Sequence, residues 1–157
     1  MADYACTYTL TTSGGTIVFN DGTLGQGSSD DLYWLNVVHG LDGPVLRHTM
    51  KDKPFDHGGL AGRSWKGPRH PAFEGRIIVQ SAIGNARRAI FNDMEADLRA
   101  ALDSILAPTT GTLAWTPLGD SAKSLAVVCE VPVDVSPEDA YQTRAFNFGL
   151  FAAAADY

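Results

Sequence analysis

A chain of 157 residues with 16 glycines and 8 prolines has the length of one domain and the turn content of a strand-rich one. A formal charge of −6 and a pI near 5.0 argue against a general nucleic-acid binder, which is normally basic. No apolar run approaches the ~18 residues of a membrane span and no signal-peptide pattern opens the chain, so the sequence predicts a protein made in the cytoplasm that works soluble or within an assembly.

Tyr4 to Leu10 alternates and is rich in Thr and Tyr, which predicts a strand. Thr16 to Phe19 follows across Ser13-Gly14-Gly15, a short turn that makes a hairpin of the two. Residues 21–31 are polar and glycine-bearing, a surface loop. Leu32 to Val38 is continuously apolar, with β-branched and aromatic residues, the pattern of a buried strand. His39 to Pro44 is a turn by composition, and Val45 to Met50 a shorter strand.

From Lys51 to Glu74 periodicity disappears among prolines and glycines, which predicts a long extended loop. Its Phe55, Leu60, Trp65 and Phe73 argue against simple disorder, since linkers rarely carry large apolar groups. Those side chains need a surface to cover, and a neighbouring chain is one source of it.

Arg76 to Ala82 is the next strand. One amphipathic helix is predicted from Ala86 to Leu106, with Ile90, Phe91, Met94, Leu98, Leu102, Ile105 and Leu106 along one stripe. Asp93, Glu95, Asp97, Arg99 and Asp103 occupy the other face, and Pro108 stops the helix. Gly111 to Thr116 and Ser124 to Val135 are strands; Pro132 inside the second marks an edge or a bulge. In the last strand, Arg144 to Ala154, Phe146, Phe148 and Leu150 share one face. The fold class is therefore mainly β with one α-helix (α+β), a single domain over residues 1–157.

Chemistry-bearing motifs are sparse. His48, Asp52, Asp56, His57, His70 and Glu74 fall near the middle loop, but no spacing matches a rigid ligand pair, so no metal site is assigned. There is no Gly-x-Ser-x-Gly elbow and no Gly-x-x-x-x-Gly-Lys run, so catalytic and cofactor-binding residues are likewise none. Cys6 and Cys129 lie in apolar runs and read as buried thiols; their pairing is not legible in the sequence.

Charge is more telling. Lys51, Lys53, Arg63, Lys66, Arg69, Arg76, Arg87 and Arg88 crowd the middle third of an otherwise acidic chain. Such a cluster is a solvated loop, a phosphate-binding patch against nucleic acid, or, against an acidic copy of the same protein, a source of complementary charge; self-association is the reading preferred. The predicted subunit interface is therefore Lys53, Phe55, Trp65, Lys66, Arg69 and Phe73, with Asp93, Glu95, Asp97 and Asp103 as the complementary face.

The order of elements then resembles a known family. A loop ends in Pro71-Ala72-Phe73-Glu74-Gly75-Arg76, the strand Arg76-Ile77-Ile78-Val79 leads to the helix, and Gly111-Thr112-Leu113-Ala114-Trp115 and Ser124-Leu125-Ala126-Val127-Val128 follow. With the final strand Arg144-Ala145-Phe146-Asn147-Phe148-Gly149-Leu150-Phe151, residues 32–157 resemble the N-terminal domain of distal tail proteins of long-tailed phages.

The resemblance implies a non-enzymatic virion protein with a tail-tube-like β-sandwich or split barrel flanked by the helix. It implies a homo-oligomer, a hexameric ring between the tail-tube and tip-hub proteins, with DNA passing the lumen unbound and no membrane contact. Residues 51–74 would be a belt over the neighbouring subunit. Many relatives continue into a carbohydrate-binding domain, which this sequence does not include. A repeating tail-tube subunit, a small metal-binding hydrolase and a monomeric ligand-binding sandwich are the alternatives.

Overall fold

Alternation in the strands becomes a wall with one dry and one wet face. The computed structural model describes residues 6–25, 27–41, 46–52, 59–136 and 143–153, with backbone alone in 46–52 and 59–66. β1 (Tyr8–Thr12) and β2 (Gly15–Phe19) form the predicted hairpin, with Tyr8, Leu10, Ile17 and Phe19 buried. β3 (Asp31–His39), β4 (Leu46–Asp52), β5 (Gly59–Lys66) and β6 (Ala72–Val79) follow, then α1 (Gly84–Asp103), β7 (Gly111–Trp115), β8 (Lys123–Val135) and β9 (Thr143–Phe151).

Seven of these strands close into a barrel in the order β1-β2-β3-β6-β9-β8-β7, with β7 returning to pair with β1 through Tyr8↔Trp115. Of the expected sandwich or split barrel, the sandwich is corrected to a closed barrel: pairing of the first strand with one more than 100 residues away leaves no free sheet edge there to form a separate layer. One further correction concerns the middle of the chain. Gly59–Lys66 is a strand and β6 begins at Ala72, so much of the predicted loop of 51–74 is extended ladder.

Aromatic rings fill the barrel. Phe73 and Phe148 stack at 4.9 Å between centroids, and Phe19 packs on both. The helix completes this core by burying Phe91, Leu98, Ala101 and Leu102, with Ile105 just beyond its end. It ends at Asp103, earlier than predicted, and Leu106 is half exposed rather than part of the stripe. Polar ties also hold the helix to the wall: Tyr33 Oη donates to the Met94 carbonyl at 2.7 Å, Arg99 Nη1 donates to the Val133 carbonyl at 3.2 Å, and Arg144 Nη1 meets Glu95 Oε2 at 2.9 Å.

Curvature has local causes. β8 carries Pro132 within register shifts between Cys129 and Asp134, so the proline sits at a bulge. Gly75 lets β3 and β6 approach, since a Cβ there would meet the Trp34 carbonyl and the Phe146 ring. Between β2 and β3 the wall narrows to a single parallel pair, Phe19↔Tyr33, which Asn20 reinforces.

Candidate subunit interface

Among the described residues β4 and β5 pair only with each other, from Leu46↔Lys66 to Asp52↔Gly59, and form a two-stranded sheet separate from the barrel sheet. This arm is inserted between β3 and β6, which are neighbours in the wall. Residues 46–66 hold five basic and two acidic side chains, a formal +3, which leaves −9 on the rest of the chain. An isolated two-stranded hairpin is marginal in water. The arm therefore has both a charge and an energetic reason to lie on another surface.

The predicted interface residues separate into three groups. Trp65 and Lys66 stand on β5, opposite Arg47 and Leu46. Lys53 and Phe55 lie outside the described residues, as do Asp56 and His57. Phe73 and Arg69 are corrections. Phe73 is 1 % exposed and stacked in the barrel core, because its place on β6 points it inward opposite Val38. Arg69 is 3 % exposed at the base of the arm, and its backbone bridges to Ala152.

On the helix, Asp93, Asp97 and Asp103 are exposed. Glu95 faces elsewhere: Oε1 accepts from Arg99 Nε at 3.0 Å and Nη2 at 2.9 Å, while Oε2 binds Arg144. Its charge is used within the chain, so the complementary acidic face reduces to the three aspartates. Spacing along a helix places Glu95 near that face, but only the position of Arg144 on β9 reveals its partner.

Among the described residues, four groups have displaced pKa values. Burial pushes the Tyr33 hydroxyl up, with Asp97 adding to it. Burial also raises the Cys129 thiol, with Asp103 nearby, and lowers Arg69. Lys123 holds exposed Asp120 below the usual carboxylate value by donating to it, helped by the Ser121 amide. Cys6 and Cys129 are buried and not joined in a disulfide. Cys6 Sγ donates to the Thr116 carbonyl and Cys129 Sγ to the Val131 carbonyl.

Other chemistry is thin. Among the described residues no three His, Cys, Asp or Glu side chains gather as a metal site would require. His70 Nδ1 instead meets Glu130 Oε2 at 2.8 Å. An open cleft of about 580 Å³ on the outer wall brings Asn36, Glu74, Arg76, Asp134 and Asn147 together, two carboxylates beside one guanidinium. No helix of the described structure is long and apolar enough to cross a membrane.

No family model matches the chain, and no curated protein does. Among solved structures, the chain is similar to the Dit protein of phage SPP1, described as a paradigm of the hub adsorption apparatus in phages that infect Gram-positive bacteria. The match has a TM-score of 0.55 at 8% identity, and it covers 92% of this chain but 49% of that one. The chain thus spans about half the length of the phage protein, and at this identity the likeness is one of fold.

Proposed function

We propose that this chain is a structural, non-enzymatic subunit of a phage tail, one that assembles with copies of itself into a ring joining the tail tube to the tip hub. The observation that carries the reading is the pairing of a fold like that of a phage hub protein with a free-standing basic arm on an acidic barrel. A ring closes when each subunit offers two different patches to its neighbours. Here the arm, with Trp65, Lys66, Lys53 and Phe55, is one patch, and Asp93, Asp97 and Asp103 on the helix are the other. Opposite charges steer such a contact and fix its register. Six copies would make the ring, with DNA passing through its lumen, in the virion.

Sedimentation velocity and electron microscopy of the purified protein test this. Closed rings one or two layers deep are the expected result, and Trp65→Ala should shift the protein to folded monomers. Long filaments would assign the chain to the repeating tube instead. A monomer at micromolar concentration would overturn the proposal.

A further inference from the structure

The arm leaves and rejoins the barrel through a neck that is fastened on several sides. The last pair between β3 and β6 is His39↔Ala72. One residue further, Gly40 takes φ +76, and a Cβ there would meet the His70 carbonyl and lie 3.2 Å from Pro71 Cα. The two legs of the arm thus touch backbone to backbone. On the far side, Arg69 and Ala152 exchange both backbone hydrogen bonds at 2.9 Å, and Leu150 N donates to the Pro71 carbonyl at 2.7 Å. The His70 ring bonds Glu130 and packs edge-on against Phe151 at 5.3 Å.

Arg69 adds a link of a different kind. Its guanidinium is buried at the neck, and Nη1 donates to the Leu41 carbonyl, 3.4 Å away on the outgoing leg. A buried cation is costly unless its contacts repay the lost water. The backbone of 69–71 is already held to β9 by the ladder, so that stretch does not need the side chain to stay in place. Through the bond to Leu41 the side chain joins one leg to the other.

We propose that Arg69 is a positioning residue for assembly: it ties the outgoing leg at Leu41 to the return leg and so fixes the direction in which the arm leaves the barrel. This rests on the reading that the arm engages a second copy. An arm held in one direction gives up less freedom on docking, and the saving appears as affinity. Arg69 acts on assembly through the arm it aims.

The test uses the full chain with spin labels at Ser64→Cys on the arm and Thr112→Cys on the wall; the native thiols are buried. Dilute monomer should give a narrow distance distribution. Arg69→Ala should broaden it and weaken assembly by about tenfold or more, with barrel melting little changed. Arg69→Lys, which keeps a cationic donor, should restore much of both. If Arg69→Ala fails to fold, Arg69→Gln carries the same expectation. Narrow distances and wild-type assembly in the Ala or Gln variant, with Trp65→Ala still disrupting rings, would overturn the role of Arg69 and leave the arm reading intact. Rings unaffected by either Trp65→Ala or the Arg69 variants would remove the arm reading itself.

Discussion

The side-chain carbonyl of Asn20 accepts a hydrogen bond from the Leu35 amide at 2.8 Å, across the narrowest join in the barrel wall. Asn20 Nδ2 donates to the Cys6 carbonyl, and the Asn20 backbone N–H donates to the Tyr33 carbonyl. One residue thus links three stretches of chain where the ladder itself supplies a single pair. Its φ of 59° is left-handed, a conformation asparagine tolerates better than most residues. Asn20→Ala should therefore cost about 2–3 kcal/mol, from a buried donor left unpaired and a strained backbone. Asn20→Gly should cost less, because it relieves the strain while losing the same bonds. Urea unfolding of the three proteins makes the comparison; equal losses for Ala and Gly would show that φ plays no part.

Phe73 provides a sharper separation between folding and assembly. Its ring stacks on Phe148 and Phe19 and is essentially inaccessible. Phe73→Ala should destabilise the monomer by about 3–5 kcal/mol through the cavity it leaves. The effect should appear in denaturation of the dilute protein, independent of concentration. A loss that appeared only as the protein concentration was raised would restore Phe73 to the proposed interface.

The contrast between Phe73 and Trp65 shows what the sequence discloses. Both are aromatic residues in a stretch without clear periodicity, and nothing local distinguishes them. Register does: Phe73 pairs with Val38 on the wall, whereas Trp65 pairs with Arg47 on the arm. Strands with strong alternation, such as 144–151, and the stripe from Phe91 to Leu102 were legible because burial imposes its period on residue type. β5 was not, because Gly59, Gly62 and Ser64 interrupt any apolar alternation, and its pairing with β4 depends on backbone hydrogen bonds that residue type does not reveal. Barrel closure was hidden for another reason: it depends on which distant strands meet, as β1 and β7 do. The likeness to a tail-hub fold came from the order of elements, which survives when identity falls to 8%.

Glu95 and Arg144 form the second link whose loss should be measurable. The Arg144 guanidinium is 9% exposed in its side chain, lies 5.0 Å above the centre of the Phe91 ring, and also reaches Asn92. Glu95→Ala leaves that cation with its main acceptor removed, and should cost about 2 kcal/mol. The loss should shift thermal unfolding without altering ring stoichiometry, since Glu95 faces inward to its own chain. Because Asp93 and Asp97 point outward, Asp93→Lys with Asp97→Lys should do the reverse, sparing the melt and weakening assembly. Salt should have a similar effect on assembly, as exposed charges are screened.

Alkaline pH tests the buried hydroxyl and thiol together. Tyr33 and Cys129 both have raised pKa values, chiefly from burial, with Asp97 and Asp103 adding to the respective shifts. In the folded protein they keep their protons at a pH where the unfolded chain, with values of about 10 and 8.5, has released them. The unfolded state then binds fewer protons, so stability is fully present below about pH 8.5 and falls as pH rises beyond it. Tyr33→Phe should remove the part of the fall above about pH 10. It should also cost about 1 kcal/mol at neutral pH, through loss of the bond to the Met94 carbonyl. Urea unfolding from pH 7 to pH 11 measures both, and a Tyr33→Phe profile parallel to wild type above about pH 10 would show that the hydroxyl titrates freely in the fold.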